Sequence, residues 1–332
     1  MRLVLLCIVA SALAGCESIA YYRQAIGGHL EIIGAARPVD AWLADPATPP
    51  ELRGRLEAAR RIREFASRRL GLPDNRSYTS YAELGRPFAV WNVFAAPQYS
   101  VAPKQECFPF TGCVSYRGFF SEDDARRHAA RLKEQGYDVY VSGVPAYSTL
   151  GWFDDPLLST FIRYPDAQLA RLVFHELAHQ LVYAPDDTMF NESFAVSVEH
   201  EGVRRWLRAE GRLGDLQAFE ALQARRQQFA QRVKEARTRL REVYQQGLPV
   251  DAMKQRKAEE FELLRKEYPN IVPAEPNNAF LVSVALYTEL VPEFEQLLRE
   301  SGSLEAFYAQ VRDLAKSGGF KKLKPPGPAA SG

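Results

Sequence analysis

The sequence predicts an α+β fold, predominantly α, and three observations carry that expectation. Short β-prone runs cluster between residues 87 and 144, a segment apolar on almost every side fills residues 164–185, and a long charged stretch with apolar residues at helical spacing occupies residues 213–268. With 332 residues and 46% hydrophobic content, the chain can bury one sizeable core or two smaller ones. Its net charge of +1 offers no basic excess, so no nucleic-acid partner is expected. No internal repeat is visible.

The chain opens with MRLVLLCIVASALAGC: one early positive charge at Arg2, an apolar run over residues 3–14, and small residues before a cysteine. This is the pattern of a secretion signal over residues 1–15. A bilayer span needs roughly 18 or more apolar residues, and this run stops short. Leu13-Ala14-Gly15-Cys16 resembles a bacterial lipobox. That resemblance implies cleavage before Cys16, lipid on the new N-terminal cysteine, and attachment to a membrane through that lipid. Glu17 follows the cysteine where an inner-membrane retention signal has Asp, which directs the expectation to the periplasmic face of the outer membrane.

With Cys7 in the signal and Cys16 lipidated, Cys107 and Cys113 are the remaining pair, in CFPFTGC. An oxidising periplasm favours a local disulfide across Pro109 and Gly112, and a cysteine metal site would need two more thiols. Two buried free thiols are the alternative.

Residues 21–34 and 50–70 read as helices. The second is arginine-rich, with Leu52, Leu56, Ile62 and Phe65 apolar, and Glu51, Glu57 and Glu64 among its arginines favour a solvated face over a membrane-surface helix. From Pro87 the runs AVWNVFAA, VSYRGFF and DVYVSGV read as strands of a small mixed sheet. SEDDARRHAARLKEQG lies between the last two, with Ser121 as N-cap and Gly136 as stop, so the order is strand, helix, strand. YPDAQLARLVFHELAHQLVYAP begins at Pro165-Asp166, ends at Pro185 and must form a buried helix, which the small sheet is expected to cover. The loop APDDTMFN leads to a helix over residues 192–209. The charged stretch 213–268, broken at residues 247–249, reads as a helical hairpin packing on one side. The expected organisation is a core over residues 16–212, the hairpin over 213–268, C-terminal helices over 269–316, and a disordered tail over 317–332.

Within the buried helix, VFHELAHQL places His175 and His179 at i and i+4, one above the other with Cβ atoms roughly 6 Å apart, a separation one cation bridges. Glu176 sits one position round, near enough to hydrogen-bond a water beside the ion without coordinating it. This HExxH pattern sets a general base next to a Lewis acid. Leu177, Ala178, Gln180 and Leu181 are uncharged, as burial requires. The bland alternative is two core histidines and a carboxylate satisfied without metal. A catalytic zinc wants a third protein ligand and an open position, and Glu192 in NESFA, one short loop away, is the candidate.

HELAH followed by NESFA resembles the gluzincin metallopeptidases. That resemblance implies a zincin-like fold in which His175, His179 and Glu192 hold zinc (Zn2+) and Glu176 acts as general base. Twelve residues separate His179 from Glu192, fewer than in thermolysin-like or large aminopeptidase gluzincins. With the lipobox and a small sheet ahead of the zinc helix, the whole chain more closely resembles a bacterial family described as predicted aminopeptidases, found as envelope lipoproteins.

Glu199, two turns along from Glu192, is placed to orient a ligand histidine from behind. His200 and Glu201 project from other sides of that helix. For the oxyanion donor Tyr287 is favoured over Tyr147, because Asn277 and Asn278 on its helix offer hydrogen bonds to substrate backbone. Glu199, Glu201 and Glu275 are candidates for binding a substrate α-ammonium. The edge over residues 138–151 is the expected seat of an extended peptide. The resulting expectation is a lipid-anchored zinc aminopeptidase acting on periplasmic peptides. A zinc endopeptidase is one alternative, and a non-catalytic envelope scaffold with a vestigial zinc site, working through residues 213–268, is another. Lipid binding by basic helices is disfavoured by the near-neutral charge.

Overall fold

The computed structural model describes residues 21–108 and 112–318. The expected signal segment and lipidation site at Cys16, and residues 319–332 of the expected tail, lie outside them. Helices dominate, and the sheets are small. In order, the elements are α1 (21–35), β1 (Arg37–Pro38), α2 (Val39–Ala44), α3 (Pro50–Leu70), β2 (Ser80–Ala82), β3 (Val90–Pro97), β4 (Glu106–Phe108), β5 (Gly112–Val114), β6 (Arg117–Phe119), α4 (Glu122–Glu134), β7 (Tyr137–Val144), β8 (Leu157–Leu158), α5 (Asp166–Leu181), α6 (Thr188–Ala209), α7 (Leu213–Gln245), α8 (Val250–Glu267), α9 (Asn278–Thr288), α10 (Val291–Ser301) and α11 (Leu304–Ser317).

Strands β1, β2 and β8 form a mixed sheet, antiparallel between β1 and β2 and parallel between β2 and β8. A second sheet, ordered β6–β3–β7, is antiparallel, with Val90 opposite Val144 and Pro97 opposite Tyr137. Its central strand reads as an almost unbroken apolar run because both faces are covered. Trp91, Val93 and Ala95 pack under α4, while Phe94 and Ala96 pack on Ala279, Val282 and Leu286 of α9. Ser121 caps α4, accepting from the Asp124 amide at 3.3 Å. The strands expected to cover the HExxH helix, β6–β3–β7, pack on α9 instead, while β2 and β8 of the mixed sheet share a core with α5, which packs chiefly on α6 and α3.

α5 is buried along Leu169, Leu172, Val173, Phe174, Leu177 and Ala178. α6 starts four residues before the expected 192, because Asp187 caps it by accepting the Phe190 amide at 3.0 Å. Asn191 closes the loop between the two helices: its side chain accepts from the Ala184 amide at 2.7 Å and donates to the Ala184 carbonyl at 2.8 Å. Close approach of the helices needs Gly202. A Cβ there would lie 2.7 Å from the Phe174 ring and 2.9 Å from Leu70. On the outside of the loop, Cys107 and Cys113 are joined by a disulfide across the β4–β5 hairpin. This hairpin docks on the loop through the Cys113 amide, 2.6 Å from Asp186 Oδ1, and the Ser115 amide, 3.3 Å from Thr188 Oγ1.

On α3, Arg60, Arg61, Arg68 and Arg69 are exposed as expected, but Arg63 and Arg55 depart from the solvated face. Arg63 is buried and donates to the carbonyls of Pro73, Asn75 and Ser77 at 2.8 Å each. Arg55 donates to the Ile162 and Tyr164 carbonyls and to Asp166 Oδ1, the first residue of α5. A count of polar residue types along a helix does not register backbone carbonyls arriving from elsewhere in the chain. The α7–α8 hairpin packs Phe229, Val233 and Leu240 with Phe261 and Leu264 onto Phe280 and Leu281 of α9.

Asp166 also accepts from Arg212 at 2.6 Å, so it ties α5 to α3 and to the start of α7. Burial would raise its carboxyl, but the two guanidinium groups outweigh that and hold it below the ordinary carboxylate value. A group with a depressed folded pKa stabilises above its unfolded value of about 3.9, and the contribution disappears as pH falls through the folded value. Asp166→Asn is therefore expected to cost about 1–3 kcal/mol at pH 7. In urea unfolding, the gap between wild type and variant should narrow as pH falls below about 4.

Candidate metal centre

His175 and His179 leave α5 on one face, and Glu192 leaves the first turns of α6 towards them, because Asn191 and Asp187 fix the turn between the helices. His175 Nε2 and His179 Nε2 are 3.1 Å apart, and Glu192 Oε2 is 3.3 Å from the first and 3.6 Å from the second. All three residues are buried. A tetrahedral ion bound at about 2.0–2.1 Å separates its nitrogen and oxygen donors by about 3.3–3.4 Å. The observed triangle matches that spacing, so these residues could hold a metal ion.

The groups behind the triangle fit the same reading. His175 Nδ1 lies 3.0 Å from Glu199 Oε2, which turns Nε2 towards the cluster. Arg171, one turn before His175 on α5, holds the Glu199 carboxylate through both oxygens at 2.9 and 3.1 Å. Burial would raise Glu192 and Glu199. His179 and His175 beside the first, and Arg171 and His175 beside the second, outweigh burial and hold both carboxyls at about 2. Burial would also lower His175, but Glu192 and Glu199 override it and hold the imidazole protonated in the absence of an ion. Glu176 is raised by burial against the pull of His175 and His179. Once His175 gives up its proton to bind an ion, three carboxylates face one close guanidinium, a deficit of positive charge that a divalent cation balances.

Four tyrosines surround this centre. Tyr116, just before β6, hydrogen-bonds Glu192, and burial first and Glu192 second push its hydroxyl well up. Tyr287 of α9 is raised by burial and by Glu192, Tyr116 and Glu176 in turn. Tyr183 feels Glu192 from the loop between α5 and α6. Tyr78 feels Glu176 from the segment before β2.

Several sequence expectations land elsewhere. Asn277 caps α9 and donates to the Val139 carbonyl at 3.0 Å, and Asn278 donates to the Gln98 carbonyl at 2.9 Å. Both are at the opposite end of α9 from Tyr287, so the reason given for favouring that tyrosine does not hold, although the tyrosine itself reaches the centre. Asn277 also occupies part of the β7 edge expected to seat a peptide. Glu201 pairs with Arg205 at 2.7 Å, and Glu275 is exposed ahead of α9. His200 turns to Glu295 at 3.2 Å, and Tyr147 bonds His29 Nδ1 at 2.7 Å. A groove of about 670 Å³ between α7 and the α9–α10 corner contains none of the metal-centre residues. Arg171 was legible as the i−4 neighbour of His175, but Tyr116 and Tyr183 had no local signal.

A family model described as putative aminopeptidase matches residues 20–323. Searches of curated proteins and of solved structures gave no match.

Replacing Glu199 with Gln keeps the side chain's shape and removes the charge that orients His175. Affinity for added divalent metal is expected to fall about 10- to 100-fold. Competition against a chromophoric chelator measures it, with an unchanged helical circular-dichroism spectrum as the control for folding.

Proposed function

The chain belongs to the putative aminopeptidase family, and from that premise we propose that it is a zinc-dependent peptidase of zincin-like construction that removes N-terminal residues from peptides. The observation that carries the proposal is the donor triangle of His175, His179 and Glu192 beside a half-buried Glu176. The donor set of two imidazoles and one carboxylate is that of catalytic zinc, with room for a fourth, exchangeable position. A bound zinc supplies polarisation of the scissile carbonyl and acidification of the attacking water.

The chain's own residues do the rest. Glu176, raised by its surroundings towards neutrality, takes the proton of the attacking water and returns it to the leaving amine. Glu199 and Arg171 keep His175 in the tautomer that presents Nε2. Tyr287 is assigned as donor to the developing oxyanion, since Tyr116 is already engaged with Glu192. The α7–α8 hairpin is read as a wall of the site and not as an independent scaffold, because Arg226 of α7 lies within electrostatic reach of Arg171 and Glu199.

Glu176→Gln tests the catalytic reading. Zinc content is expected to stay at one ion per chain while cleavage of an amino-acyl p-nitroanilide drops by about 10²–10⁴-fold. Unchanged cleavage with zinc still bound would leave the scaffold reading standing.

We further propose that the protein sits on the periplasmic face of the outer membrane, held by lipid on Cys16. No helix among the described residues is long and apolar enough to cross a membrane. Tyr22, Ile26 and Leu30 form an exposed stripe at i, i+4 and i+8 along α1, a few residues after Cys16, as a helix resting near a lipid surface would. Cys16→Ser is expected to move the protein from the membrane to the soluble fraction on cell fractionation.

A further inference from the structure

We infer that Asp155 and Tyr78 form the subsite that receives the free α-ammonium group of the substrate. The inference rests on the peptidase reading above and supplies the pair of side chains that would make the enzyme an exopeptidase.

Asp155 is 1% exposed, and its two oxygens are treated differently by the fold. Oδ2 accepts from the Thr149 amide at 3.0 Å, from Gln180 Nε2 at 3.4 Å and from Ser148 Oγ at 3.5 Å. Oδ1 is buried with no partner among the described residues. The hydroxyl of Tyr78 is also buried without a partner. These are neighbouring residues, since the Tyr78 amide donates to the Asp155 carbonyl at 2.6 Å. Two orphaned oxygens within electrostatic reach of each other in a folded interior mark a place built for something that donates hydrogen bonds.

The position agrees with the chemistry. Both groups interact electrostatically with Glu176. Gln180, which touches Asp155, lies one helical turn after Glu176. The α-nitrogen of an N-terminal residue is only about 2.5 Å from the carbonyl carbon under attack, so its anchor must stand beside the catalytic base. An ammonium brings several N–H donors and a positive charge to two bare acceptors. An acylated nitrogen brings one donor and no charge.

The competing carboxylates are committed. Glu199 is bound to His175 and Arg171, Glu201 to Arg205, and Glu275 is exposed away from the centre. The subsite is also held in shape. Gln180 accepts from Asn75 Nδ2 at 2.7 Å and donates to Ser77 Oγ at 3.2 Å, so one side chain of α5 ties together the loops that carry Tyr78 and Asp155. Tyr78 and Leu150 sit at φ of 64° and 57°, left-handed conformations that side-chain-bearing residues rarely adopt. Burial raises the Asp155 carboxyl to about 6 despite the Thr149 and Ser148 hydrogen bonds, with Glu176 adding to the rise, as befits an acid kept short of a cation.

The test compares an amino-acyl p-nitroanilide with its N-acetylated counterpart on wild type, Asp155→Asn and Tyr78→Phe, with zinc content and melting temperature measured for each. Wild type should prefer the free amine. Asp155→Asn should raise KM for the free-amine substrate about 10- to 100-fold and shrink the preference by the same factor, with zinc retained. Tyr78→Phe should shift both in the same direction by less, and it serves if Asp155→Asn does not fold. An unchanged KM in a folded variant, or equal cleavage of both substrates by wild type, overturns the assignment. A wild type inert on both substrates sinks the peptidase reading instead. In that case calorimetry on Glu176→Gln with leucinamide and N-acetyl-leucinamide decides the subsite: selective binding of the free amine supports it, and no discrimination overturns it.

Discussion

The structure depends on one constraint: two imidazole nitrogens and a carboxylate oxygen from two helices stand 3.1–3.6 Å apart, inside the protein. Without an ion, protonated His175 is held by the Glu192 and Glu199 carboxylates; with that proton gone, the lone pairs of the three groups repel in a medium that screens little. The surrounding fold has to impose the arrangement. Gly202 lets α6 approach the ring of Phe174, Asn191 closes the inter-helix loop on Ala184, and the disulfide-bonded hairpin presses on Asp186 from outside. Each of these contacts fixes the separation of α5 and α6, and none touches the donors themselves.

Outward from the triangle, Glu199 stands behind His175, Arg171 behind Glu199, and Arg226 within electrostatic reach of both. Asp155 and Tyr78 lie within electrostatic reach of Glu176, and Gln180 stitches their loops to the same helix. On the proposed reading α5 supplies ligand, base and loop anchor within about two turns, and its start is fastened accordingly. Arg55 of α3 and Arg212, the residue just before α7, grip its first residue from two directions. A rotation of α5 by even part of a turn would displace all three functions together.

What could be read in the sequence was local. The i, i+4 histidines, the cap at Ser121, the stop at Gly136 and the helix over 50–70 each follow from neighbours a few residues away. Glu192 was within reach because a short loop leaves a following helix few places to go. Asp155 was not, since it lies in a Gly/Ser/Thr-rich segment 20 residues before His175 and only the fold brings it beside Glu176. Arg63 was misjudged for the same reason: its partners are the carbonyls of Pro73, Asn75 and Ser77, which have no residue type to read. Asn277 and Asn278 looked available for substrate and are used as a helix cap and a strand tie. Polar residues are legible as polar, but whether a backbone group arrives to engage them is a property of tertiary structure.

The length of the α7–α8 hairpin makes sense in the same terms. α7 runs for 33 residues, about 50 Å, far more than is needed to place Arg226 behind Glu199. Along that length it meets α6 near its start and α8 and α9 further on. Glu192 is carried by α6 and Tyr287 by α9, so a rigid strut across both helices sets the separation of a metal ligand from the tyrosine assigned to the oxyanion. Arg237, buried in the middle of α7, reaches Glu289 just past the end of α9, two residues after Tyr287. A loop could not hold that spacing to the fraction of an ångström that electrostatic stabilisation of a transition state demands, whereas a helix buried along one face can. The hairpin that looks surplus to a minimal peptidase is, on this argument, what keeps the two halves of the site in register.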